Sequence, residues 1–135
     1  MKPFSQDLFD ADDNAKHQAI EYLETQGLIM RVNLDPYGVD LIGELNGEPR
    51  SYEIEVKRSW SGDHFQFHTV HIAARKIKFA KPETRFLMFN LERTHAFLIT
   101  GDDVARSPIV TKSTKYTEAE DFISVPLSRV RMIQL

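Results

Sequence analysis

Gly38-Val39-Asp40-Leu41-Ile42-Gly43-Glu44-Leu45-Asn46-Gly47 and, three residues on, Ser51-Tyr52-Glu53-Ile54-Glu55-Val56-Lys57 read as two adjacent strands of one sheet. Asn46-Gly47 is the dipeptide of a tight hairpin turn, because both positions tolerate a positive φ. Strand side chains alternate between faces, so Tyr52, Ile54 and Val56 share one face while Glu53, Glu55 and Lys57 share the other. A hairpin partner carrying Asp40 brings a second carboxylate beside Glu55 and Lys57. Such a cluster on a sheet edge is costly to assemble unless its charge is offset. A divalent cation acting on phosphate would offset it.

Upstream of the hairpin, the spacing predicts a helix from about Asn14 to Gln26, capped by Asp12 or Asp13 and stopped by Gly27. Ala15, Ala19, Ile20 and Leu23 share one face of it. A strand over Leu28–Asn33 and a turn at Asp35-Pro36-Tyr37-Gly38 lead into Val39–Leu45 and then Ser51–Arg58. Downstream, a second helix is expected from about Thr69 to Ala80. Val70, Ala73, Ala74, Ile77 and Ala80 form its apolar stripe, with His71, Arg75 and Lys78 on the opposite face. Strands follow at Arg85–Glu92 and His95–Thr100, then a short helix or turn near Asp102–Arg106, and an edge strand over Phe122–Leu127. These elements predict an α/β (α+β) domain with a central mixed β-sheet in α-β-β-β-α-β order, a further strand, and flanking helices.

At 135 residues, 41% hydrophobic and 27% charged, the chain has the size and composition of one soluble globular domain. With no cysteine, disulfides and thiolate zinc sites are excluded, in keeping with a reducing cytoplasm. The first ten residues have no apolar core for a signal peptide, and no run is long enough to span a bilayer, so a soluble, intracellular protein is expected. The net charge of −3 conceals an uneven distribution. Residues 1–49 hold ten acidic and three basic residues, residues 50–85 eight basic and four acidic, and residues 86–135 six of each. The basic block thus starts beside Glu55-Val56-Lys57, as a phosphate-binding footprint would. A solvated helix face is the competing reading.

An opening helix, three meandering strands bearing Asp40 and then Glu55-Val56-Lys57, another helix and another strand resemble the PD-(D/E)XK nuclease superfamily. This is the fold of restriction endonucleases and Holliday-junction resolvases. The resemblance covers residues 10–100, with 101–135 as a C-terminal extension of a single domain. Val39 stands where the proline that names the motif would be. Lys16 stands where many relatives carry a glutamate in the first helix; Asp12 and Asp13, about one turn earlier, are candidate substitutes, with helix capping as their competing role.

The resemblance implies a metal-dependent endonuclease with Asp40, Glu55 and Lys57 as catalytic residues. Asp40, Glu55 and the Val56 carbonyl would hold Mg²⁺ or Mn²⁺, which would acidify a water and neutralise the scissile phosphate. Lys57 would orient that water. Glu53 would be accessory. His71, Arg75, Lys76 and Lys78 would contact phosphates, and Trp60 and Phe65 would stack on a base. The expected partner is nucleic acid, DNA before RNA, with a homodimer as one way to present two sites to a duplex. His64, His68 and His71, without a cysteine, read as polar surface or phosphate contacts rather than a zinc site. Two other readings stay open: a binding module of the same fold, its metal site weakened by Lys16, and a structural protein that meets a partner through Phe4 and Phe9.

Overall fold

The computed structural model describes residues 6–113 and 119–135, and the backbone alone for residues 6–12. Helix α1, Gln6–Thr25, leads into strands β1 (Leu28–Val32), β2 (Leu41–Leu45) and β3 (Glu48–Val56). Strand β4 (Thr69–Ala73) runs straight into a 3-10 helix, Ala74–Phe79, before β5 (Thr84–Phe89) and β6 (His95–Thr100). Helix α2 (Gly101–Arg106), β7 (Ile109–Lys112), β8 (Glu120–Pro126) and β9 (Arg131–Gln134) complete the order.

The hairpin forms as its turn dictates. Asn46 and Gly47 take φ of 52° and 83° and pair Leu45 with Glu48. Six strands make a mixed sheet in the order β1-β2-β3-β5-β6-β9, antiparallel except for the parallel β3–β5 pair. A second, antiparallel sheet has the order β4-β8-β7.

Alternation along β5 and β6 separates two cores. Leu87, Phe89 and Ala96 pack with Tyr52 and Ile54 against Ala15, Ala19 and Leu23 of α1. The small side chains of Ala15 and Ala19 let the helix lie close to the sheet. Phe86, Met88, Phe97 and Ile99 face the other way and pack with Trp60 on Val70, Ile72, Ile123 and Val125 of the second sheet. The molecule is therefore a mixed α/β protein in which the larger sheet lies between α1 and the smaller sheet. Among the described residues no helix is long and apolar enough to cross a membrane.

Three expectations need correction. Helix α1 starts at Gln6 rather than near Asn14, since no glycine or proline interrupts residues 6–26. Asp13 therefore lies inside the helix, 3.7 Å from His17 one turn on, instead of capping it. Asp12 too is internal to the helix, and its side chain lies outside the described residues. Residues 69–80 are a strand and a 3-10 helix rather than an α-helix. Thr69, Val70 and Ile72 are β-branched, and Val70 and Ile72 are fully buried at period two, whereas Ile77 of the expected helical stripe is 43% exposed. Finally, the expected edge strand, β8, is the centre of the smaller sheet. Phe4 lies outside the described residues, as does the side chain of Phe9.

Candidate functional site

Asp40 stands just before β2, and the pairing of Leu41 with Tyr52, continued by one residue, sets it opposite Glu53. Its backbone carbonyl accepts from Asn33 N at 2.9 Å. Its side chain takes over where the β2–β3 ladder ends, Oδ2 accepting from Ile54 N at 2.8 Å. The carboxylate is thus fixed on the charged face of β3 by a backbone donor. Lys16 of α1 reaches it with Nζ 3.4 Å from Oδ1. The position at which the resemblance implies a helix glutamate therefore supplies a cation to Asp40.

Glu53 is the most constrained charge in the group. It is 7% exposed, Oε1 lies 3.6 Å from Lys76 Nζ, and Oε2 is buried with no hydrogen-bond partner among the described residues. Burial, and then the neighbouring Asp40 charge, push its carboxyl up to about 7, with Lys76 pulling the other way. The folded protein holds a proton on Glu53 that the unfolded chain, with an ordinary value of 4.5, has released. The stability tied to that proton is full below about 4.5 and is lost as pH rises through about 7. In chelator, stability should thus fall over this window, and Glu53→Gln should flatten the fall by on the order of 2 to 3 kcal/mol. Denaturant melts across pH read this directly; superimposable wild-type and variant profiles would count against the shift.

Two residues further along β3, Glu55 pairs instead with Lys57, Oε2 to Nζ 3.3 Å. Lys57 Nζ also donates to the carbonyl of His71 on β4. The carboxylates therefore divide: Asp40 with Glu53, and Glu55 with Lys57. Val56 ends β3 opposite Phe89 of β5. Among the described residues no three histidine, aspartate or glutamate side chains converge as a metal cage. Asp40 and Glu53 are the carboxylates whose oxygens could hold an ion in the cleft beside them.

Around Asp40 and Glu53 lies an open cleft of about 420 Å³, also lined by Lys16, Tyr37, Arg75, Lys76 and Lys78. The chain matches no protein-family model, and no curated protein matches it significantly.

The expected phosphate contacts split between two places. Arg75, Lys76 and Lys78 line the cleft. His71 lies on β4 in a second cavity of about 250 Å³ with Lys57 and Lys112. Its ring stacks on Phe122 at 5.7 Å, and burial, then Lys112 and Lys57, hold its pKa below the usual value. Trp60 is a correction. It is fully buried and stacked on Phe97, ring centroids 4.2 Å apart, so it braces the core instead of meeting a base.

The sequence reading gives Glu53 an accessory place, and the turn carried the signal that it stands directly opposite Asp40. Counting back from a two-residue Asn46-Gly47 loop puts Asp40 opposite Glu53. Lys112 carried no such signal, because only the pairing of β7 with β8 brings it to the second cavity.

Proposed function

We propose that the protein is a metal-dependent nuclease that hydrolyses DNA phosphodiester bonds as an endonuclease. The observation that carries this reading is the Asp40 carboxylate docked on the Ile54 amide, in a cleft also lined by Lys16, Arg75, Lys76 and Lys78. The carboxylates suit a cation, and the ammonium and guanidinium groups beside them suit the phosphates on either side of it. The order of the sheet supports the PD-(D/E)XK resemblance: a leading helix, three antiparallel strands, and β5 parallel to β3. The crossover that the superfamily makes with a helix would here be made by β4 and the 3-10 helix.

In this reading Asp40, Glu55 and the Val56 carbonyl would hold Mg²⁺ or Mn²⁺, with Glu53 as an accessory carboxylate and Glu55 shared between the cation and Lys57. The bound cation would supply an acidified water and charge neutralisation at the phosphate. Lys57, held between Glu55 and the His71 carbonyl, keeps its ammonium at the end of β3, where it orients the attacking water and meets developing negative charge. Arg75, Lys76 and Lys78 grip the flanking backbone, and Lys16 counterbalances Asp40 until the cation arrives.

The test is cleavage of supercoiled, linear, single-stranded and branched DNA with Mg²⁺, Mn²⁺ or EDTA, wild type beside Lys57→Ala. Metal-dependent cutting that falls by about a hundredfold or more in the folded variant is the expected result. One observation favours a second reading, a binding module of the same fold: Lys16 already neutralises Asp40 at 3.4 Å. That reading requires salt-sensitive DNA binding without cleavage, weakened by Arg75→Ala.

A further inference from the structure

The second cavity adjoins Glu55 through Lys57, whose Nζ lies 3.3 Å from Glu55 Oε2, and differs from the cleft in chemistry. It is lined by Lys57, Ser59, Phe65, Phe67, His71 and Lys112, with Thr69 as the remaining lining residue, so no carboxylate faces it. Phe65 is fixed edge-on against Trp60, Phe97 and Phe67, at centroid distances of 5.7, 5.0 and 5.5 Å. Phe67, the last ring of this series, is 51% exposed. An exposed ring anchored to a buried aromatic series is a stiff platform, and stacking on it forfeits little conformational freedom. Lys57 and Lys112 supply positive charge beside that platform.

A flat ring and ammonium groups around one small cavity suit one nucleotide, its base on Phe67 and its phosphate toward the lysines. Lys57 follows the end of β3 with its Nζ 3.3 Å from Glu55 Oε2, so the cavity borders a carboxylate assigned above to the cation. A base stacked within a duplex cannot enter such a cavity without leaving its stack. We propose that the cavity between β3, β4 and β7 seats an unpaired nucleotide next to the scissile phosphate, so that the substrate is a single strand or a branched duplex with an unpaired nucleotide at the cut. This rests on the nuclease reading above and narrows its substrate class.

The experiment is fluorescence-anisotropy binding in EDTA, using oligonucleotides with an abasic site scanned through an unpaired segment, and a fully paired duplex for comparison. In the wild type, one position should lose about tenfold in affinity when its base is removed. Phe67→Ala should bind the intact oligonucleotide about tenfold more weakly and become indifferent to the abasic site at that position. Phe67→Tyr should restore the sensitivity. Lys112→Ala should weaken intact and abasic oligonucleotides alike. If wild type binds DNA but no position is sensitive, or if Phe67→Ala keeps the sensitivity, the cavity proposal is overturned while the nucleic-acid reading stands. Absence of DNA binding by the wild type would overturn both. Should Phe67→Ala fail to fold, 2-aminopurine at the sensitive position decides in the wild type: quenching on binding supports stacking, and unchanged emission overturns it.

Discussion

Asp40→Asn is expected to lower metal-dependent cleavage by about a thousandfold, the equivalent of roughly 4 kcal/mol of transition-state stabilisation, while leaving the fold intact. Asparagine keeps the side-chain oxygen that accepts the Ile54 amide at 2.8 Å, so the end of the β2–β3 ladder stays closed. What it removes is the negative charge. Alanine would remove both, and a loss of activity could then be blamed on a loosened strand. Asparagine also relieves Glu53 of its like-charged neighbour, so the Glu53 carboxyl should titrate at lower pH in the variant. Cleavage assays, thermal melts and the Glu53 titration together separate charge from scaffold. Full cleavage by a well-folded Asp40→Asn would remove Asp40 from the chemistry.

Trp60→Ala is expected to cost about 3 to 5 kcal/mol of stability. The indole is fully buried, stacked on Phe97 and edge-on to Phe65. Its backbone also ties the end of β3 to the β5–β6 turn, Trp60 N donating to Lys57 O and Trp60 O accepting from Leu91 N at 2.7 Å. An empty site there would loosen the segment that presents Lys57. Trp60→Phe should cost far less, within about 1 kcal/mol. It keeps a stacking ring and deletes an indole N–H that is buried without an acceptor among the described residues, a group whose desolvation costs about 1 to 3 kcal/mol. Denaturant unfolding of both variants tests this. A small loss in Trp60→Ala would mean that the second core closes over the gap.

The hairpin and the first core were legible because their signals are local. Asn46-Gly47 specifies its own turn, and alternation in Ser51–Lys57 states which face is buried. Residues 69–80 were not legible, because two periodicities coexist there. Val70 and Ile72 fit a strand, while Val70, Ala73, Ala74 and Ile77 fit a helix. The choice is made by β8, about fifty residues later, whose Ile123 and Val125 pair with Ile72 and Val70. Trp60 misled for a similar reason. Beside a charged motif it reads as a surface ring, and only Phe97 on β6 shows that it belongs to a core. Asp40, Glu55 and Lys57 were legible as residue types on neighbouring strands. Their division into two pairs was not, since that depends on register and on where Lys16 and Lys76 arrive.

The Ile54 amide gives the site its own spectroscopic reporter. At this point in β3 its partner is a carboxylate side chain rather than a strand carbonyl. Its proton is therefore shielded from solvent exchange only as well as Asp40 holds its place and its charge. The exchange rate and chemical shift of that single resonance should respond to Asp40→Asn and to added Mg²⁺, while the amides that pair β6 with β9 at the far edge of the sheet stay as controls. Arrival of a cation could then be followed in intact protein with no substrate present, so that binding is separated from turnover.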